Sequence, residues 1–156
     1  MYDLSTIKII NRNIVSEYKY IHDKVWQAEA LMKKMPQLEL KHFDHFSYGL
    51  YARELKIPKG CILVGKLHKY PQLNILAEGE IEVLVDDHVE HLKAPFVISS
   101  PAGTKRIAIA LEDTTWITIH ATDETDVNKI EEYFIAQTEE EYIEFCNQQL
   151  ALPLAG

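Results

Sequence analysis

Positive charge is in short supply in this chain: 16 Lys and Arg stand against 24 Asp and Glu, a formal net charge of -8. Nucleic-acid binders displace counterions with a basic face, so this balance argues against nucleic acid as a partner. Cysteine is nearly absent. Cys61 and Cys146 lie far apart and in no metal-ligand spacing, which indicates neither a disulfide framework nor a zinc site and fits a reducing cytoplasm. No apolar run approaches the length of a membrane span, and the opening Met1-Tyr2-Asp3-Leu4-Ser5-Thr6 lacks a basic segment followed by an apolar one. The expectation is a soluble protein that is not exported. Internal repeats, a Gly-rich phosphate loop, a Ser-centred nucleophile elbow and a supported Cys and His pair are all missing as well.

What is present suits one domain with helical extensions: 156 residues, 47% hydrophobic, enough to bury a core without staples. Residues 1–47 read as an N-terminal helical extension. From Ser16 to Met35, Tyr18, Ile21, Val25, Ala28, Met32 and Met35 fall at alternating steps of three and four, with Ser16 as N-cap and Pro36 as stop. That stripe suits packing on its own domain, or a short dimer seam. Residues 48–122 read as short β segments near Leu50 to Ile57, Cys61 to Leu67, Leu73 to Ala77, Ile81 to Val85, Val89 to Leu92, Phe96 to Ile98, Arg106 to Leu111 and Thr115 to His120. Turn chemistry separates them at Pro58-Lys59-Gly60, Glu78-Gly79, Asp86-Asp87 and Pro101-Ala102-Gly103. Eight such strands predict a mainly β jelly-roll barrel. Residues 123–156 read as a C-terminal helical segment packed on the barrel, with nine Asp or Glu against Lys129 up to Glu144, a run that reads as a solvated face. Val127, Ile130 and Phe134 mark one stripe there. Thr138 and Glu141 form a capping box ahead of Tyr142, Phe145 and Cys146, which face inward.

The stretch from Gly60 to Gly79 and the sequence Pro101-Ala102-Gly103-Thr104-Lys105-Arg106 carry the punctuation of two cupin motifs. From about His45 to Glu132 the chain resembles a small cupin. More narrowly, it is similar to short cupin-like proteins of tailed phages and prophages. That likeness rests on Tyr51-Ala52-Arg53-Glu54, Ile57-Pro58-Lys59-Gly60, Gly65 through Lys69, Asn74-Ile75-Leu76, Ala94-Pro95, Ser100 through Arg106 and Trp116 through Asp126. The resemblance implies a cupin-type jelly-roll barrel, a homodimer and the host cytoplasm, and it brings no particular activity.

In a metal-binding cupin the first motif supplies two His and a Glu and the second a further His. Here those positions hold Lys66, His68, Gln72 and Arg106. Lysine and arginine offer no lone pair, and two cations beside His68 would repel a divalent ion. The expectation is therefore no metal cofactor. The alternative is a divalent transition metal on His68 and His120, since a hairpin at Glu112-Asp113-Thr114 would set Arg106 opposite His120, Ala108 opposite Thr118 and Ala110 opposite Trp116. In the phage-type proteins a second His near the position of Gln72 would complete a three-His site, and Gln72 breaks it.

The same replacements suggest a different chemistry. Lys66 and Arg106 inside an apolar barrel need partners, so either Glu54 or Glu82 neutralises one of them or the pocket accepts an anion. Trp116 and Tyr51 supply stacking walls. Against this stands a plain structural role, with Arg106 salt-bridged at the barrel mouth and Lys66 reaching solvent. His42 and His45, in a loop with Asp44, read as surface residues more readily than as a second metal cluster, and His88 and His91 fall on opposite faces of an edge strand. The expected pocket lining is Lys66, His68, Gln72, Asn74, Arg106, Trp116, Thr118 and His120. Three function classes fit these residues. The first is a barrel that binds a small ligand, anionic ligands included. The second is a cupin isomerase or metal-dependent oxygenase using His68 or His120. The third is an interaction module that offers its N-terminal helix and acidic C-terminal face to a host or phage protein.

Overall fold

The computed structural model describes residues 23–85 and 88–151. The chain forms two compact units, Met1–Gln37 and Leu38–Gly156. In the first, residues 23–32 are helical (α1). The turn ends before Pro36, and the Gln37 amide donates to the carbonyls of Met32 and Met35, both at 2.8 Å, which satisfies acceptors the helix leaves over. The start of the expected helix, with Ser16, Tyr18 and Ile21, lies outside the described residues. So do the turn at Asp86-Asp87 and the tail from Leu152.

The second unit is built of eleven strands and two helices among its described residues: β1 (His42–Ser47), β2 (Leu50–Ile57), β3 (Ile62–Val64), β4 (Leu67–His68), β5 (Gln72–Glu78), β6 (Glu80–Val85), β7 (His88–Lys93), β8 (Phe96–Ser100), β9 (Ile107–Ala110), β10 (Thr114–Ala121), α2 (Val127–Phe134), β11 (Ile135–Ala136) and α3 (Glu139–Ala151). Two antiparallel sheets, ordered β1-β2-β10-β5-β8 and β3-β9-β6-β7, face one another, and a two-stranded ribbon joins β11 to β4. This is the mainly β, cupin-type jelly-roll arrangement expected, with helices at both ends of the chain. Between the sheets Ile57, Leu76, Ile81, Val83, Leu92 and Ala110 form the core. Burying a side chain such as Leu76 or Ile81 contributes about 1.5–3 kcal/mol.

All eight expected strands are present, with three changes. The first concerns Cys61 to Leu67, which divides: β3 ends after Val64 and Gly65 N–H closes its ladder on Arg106 O at 2.8 Å. The chain then leaves the sheet so that β4 can pair with β11, setting His68 opposite Ile135. Secondly, His42 to Ser47 is an edge strand on β2 and not a loop. The third change is a correction. No hairpin joins β9 to β10. Both edges of β10 are taken by β2 and β5, so His120 lies opposite Tyr51 and not Arg106, and Trp116 lies opposite Leu55 and Leu76. The connection instead folds onto the other sheet, where Leu111 N–H meets Glu80 O at 2.8 Å.

Gly79 makes the corner between β5 and β6. Its φ is 87°, and a Cβ there would lie 2.4 Å from Asp113 O and 2.6 Å from the Thr114 hydroxyl.

The helices close one end of the barrel. α2 opens on Asp126, whose carboxylate accepts from Asn128 N–H at 3.0 Å, and it lays Ile130 and Phe134 against Tyr51. α3 opens on the expected box: Thr138 Oγ1 accepts from Glu141 N–H at 3.1 Å while the Glu141 carboxylate reaches back to Gln137 N–H at 2.8 Å.

Candidate functional site

Strand alternation decides which side chains enter the barrel. On β5, Gln72, Asn74 and Leu76 point inward and are buried, whereas Leu73 is exposed. Leu76 joins the core, and the other two face a cavity of about 470 Å³. The same alternation on β10 brings in Trp116, Thr118 and His120. β4 adds His68, and the segments just before β4 and β9 add Lys66 and Arg106. All eight side chains read from the sequence as pocket lining stand on the wall of this one cavity. His120 and His68 share it, as expected, although the two strands reach it by a route other than the hairpin.

Asn74 ties one side of the cavity together. Its amide nitrogen donates to Ser100 Oγ at 2.9 Å, and its oxygen accepts from Thr118 Oγ1 at 2.8 Å and Trp116 Nε1 at 3.3 Å. Arg106 enters the same network, donating from NH1 to Ser100 Oγ at 3.1 Å. The network thus links four strands or strand ends and fixes the guanidinium on the wall.

Two imidazoles share this cavity. His68 and His120 stack with ring centroids 5.3 Å apart, and His120 stacks in turn on Phe134 at 4.2 Å. Burial, then His120 and the positive charges of Lys66 and Lys105, pushes the His68 pKa down to about 3. Burial and Arg53 push that of His120 down to about 4. Both rings are neutral at physiological pH. His68 Nδ1, His120 Nδ1 and Gln72 Oε1 are buried behind the cavity wall without a protein hydrogen-bond partner.

The third cluster joins Tyr51, read from the sequence as a stacking wall, to Arg53, Asp44 and Glu131, which sequence reasoning did not place there. Arg53, from β2, donates from Nε to Asp44 Oδ1 at 3.2 Å and to the Tyr51 hydroxyl at 2.9 Å, and its NH1 lies 3.6 Å from Glu131 Oε2. Tyr51 donates to Asp44 Oδ1 at 2.5 Å. Burial and that carboxylate push the phenol up to about 12. Burial alone would raise the Asp44 carboxyl, but hydrogen bonds from Tyr51 and Arg53 and the charges of Arg53 and His42 outweigh it and leave it below the usual range.

Lys66 forms an ion pair with Glu131, and this corrects the expectation that Glu54 or Glu82 neutralises a pocket cation. Register explains the difference. β2 turns Arg53 inward, so Glu54 faces outward, where it pairs with Lys56 and His45, both at 2.9 Å. Burial would raise the Glu131 carboxyl, but Lys66 and Arg53 hold it below the usual range.

The other described histidines do not form a second cluster. His42 lines the cavity while His45 sits on the opposite face of β1 against Glu54, and on β7 His88 pairs with Glu90 and His91 with Glu80. A metal at the motif position would rest on His68 and His120 alone. Among the described residues no three His, Cys, Asp or Glu side chains are grouped to hold an ion. Two imidazoles on a wall that also carries Lys66, Arg53 and Arg106 fall short of a transition-metal donor set.

No protein-family model matches the chain. No curated protein matches it either. Among solved structures it is similar to KdgF from Halomonas sp. (20% identity, covering 58% of this chain and 89% of that one, TM-score 0.48). It is similar also to a cupin superfamily protein from Desulfitobacterium hafniense (14% identity, 57% and 83% covered, TM-score 0.47). An RmlC-like cupin from Shewanella frigidimarina shows 25% identity, with 56% and 79% covered and a TM-score of 0.46.

Proposed function

We propose that this chain is a cupin-like binding barrel whose cavity takes a small polar ligand bearing an anionic group, and that it works without a complete cupin metal site. The observation that carries the reading is a cavity of about 470 Å³ walled by Arg53, Lys66 and Arg106, with the Asn74 network and the imidazoles of His68 and His120 beside them. Cations gather on the cavity wall in a chain of net charge -8: Arg53, Lys66 and Arg106 line it, with Asp44 and Glu131 holding the first two. The apolar side chains Leu55, Ile57 and Val83 on its wall suit the carbon skeleton of a metabolite. A phage or prophage origin and a homodimeric state belong to the same proposal and rest on the residue series that resembles those proteins.

An acid–base enzyme using His68 and His120 has less support. Imidazoles with pKa values near 3 and 4 hold no proton to give at neutral pH, and efficient proton transfer favours a pKa near the working pH.

The test is a thermal-shift screen of small carboxylates and phosphates against neutral analogues. A ligand at 100 times its Kd should add about 2.7 kcal/mol of stability, several degrees in Tm for a unit of this size. Arg106→Gln, with its fold checked by circular dichroism, is expected to lose the response. Equal behaviour of anions and neutral analogues in the unmodified protein would sink the anionic reading.

A further inference from the structure

Glu131 does more than neutralise the mouth of the cavity. It reaches Lys66 with one carboxylate oxygen and lies 3.6 Å from Arg53 NH1 with the other. A single carboxylate bridging an ammonium and a guanidinium is the arrangement that a bound carboxylic acid would adopt there. The helix that delivers it is anchored independently of this pair. Ile130 and Phe134 are 3% and 6% exposed, α2 is capped by Asp126, and β11 pairs Ile135 with His68 directly after the helix ends. The ion pair is therefore not what holds α2 in place.

Its strength is limited as well. The side chains of Lys66 and Glu131 are 49% and 31% exposed, the regime in which an ion pair is screened and readily exchanged. Lys66 and Arg53 line the cavity together with His68 and His120, so an anion arriving there meets cations that already hold a carboxylate.

We infer that Lys66 and Arg53 form a carboxylate subsite which Glu131 occupies as a resident competitor, displaced when the carboxylate of a small organic acid enters the cavity. This rests on the binding reading above and adds a direction to it. The incoming carboxylate takes over the two cations while Glu131 turns aside on its tether, so an acid enters only by outcompeting a group fixed to the wall. Glu131 then sets a threshold: weakly interacting anions are refused, and neutral molecules gain nothing at this position. The opposite role, in which Glu131 holds Lys66 and Arg53 ready for the ligand, predicts the opposite sign.

The experiment is calorimetric titration of the full chain and of Glu131→Gln with benzoate, citrate and inorganic phosphate, using benzamide as the neutral counterpart of benzoate. Gln keeps the shape and an acceptor for Lys66 but removes the competing charge. The expected result is tighter binding of the carboxylates by the variant, roughly two- to fivefold, the scale of a half-exposed ion pair. Benzamide should be unchanged, and the gain should vanish when Lys66→Gln is added. Unchanged or weaker carboxylate binding in Glu131→Gln, with the unmodified protein binding normally, overturns the competitor role and leaves the binding barrel standing. Failure of both proteins to bind any of the three anions overturns the anion-binding reading and this inference with it. A gain for phosphate alone overturns the carboxylate assignment.

Discussion

The two stacked imidazoles give the cavity a pH signature of their own. Both folded pKa values, about 3 for His68 and about 4 for His120, lie below the ordinary 6.5. Above 6.5 folded and unfolded chains alike carry neutral rings and no linkage arises. As the pH falls below 6.5 the unfolded chain takes up protons that the folded one refuses, so stability declines until the folded pKa values are reached. At pH 5 the loss should be about 2 kcal/mol for each ring. Chemical denaturation at pH 7 and at pH 5 measures it. His68→Gln and His120→Gln should each flatten the dependence, and an unchanged slope in both variants would show that other groups carry it. At this scale the sequence was informative wherever a motif fixed the position. Lys66, His68, Gln72 and Arg106 were legible because glycines and prolines on either side counted them into place, and Asn74 followed from strand alternation. Glu131 was not legible. It lies 65 residues from Lys66 in an acidic run whose other members pointed to a solvated face.

Among the elements, the strands were easier to read than their partners. Local alternation marks a strand, but pairing depends on which edges remain open after all other strands have paired, and no local pattern records that. β10 shows the difference. The short connection at Glu112-Asp113-Thr114 suggested a hairpin with β9, yet β2 and β5 occupy both edges of β10. Gly79 belongs to the reason. The corner it makes brings Glu80 under the connection, where the carbonyl accepts from the N–H groups of Leu111 and Glu112. Gly79→Ala would force a side chain into a left-handed backbone with Asp113 O 2.4 Å away. The expected cost is at least about 2 kcal/mol, combining the backbone penalty with displacement of the corner. Urea unfolding reads it, and a variant as stable as the parent would mean that the corner yields without strain.

Taken whole, the barrel unit has one core between its sheets, and the cavity shares its walls: Ile57, Ile81 and Val83 belong to both. Sheets joined through shared side chains should melt together. Trp116 reports this from the cavity wall once the other tryptophan is removed by Trp26→Phe. Its fluorescence and the far-ultraviolet circular dichroism should then change at one midpoint, whereas separate midpoints would show that the sheets unfold independently. One further consequence concerns the order in which the ribosome delivers the parts. Every strand of the two large sheets has been made once Ala121 has emerged, but Ile130, Glu131 and Phe134, which complete the cavity, and Ile135, which pairs with His68, come later. A nascent chain can therefore hold a finished barrel with an unfinished mouth. During that interval Lys66 and Arg53 stand without Glu131, and the cavity meets the cell's small acids before its own carboxylate arrives.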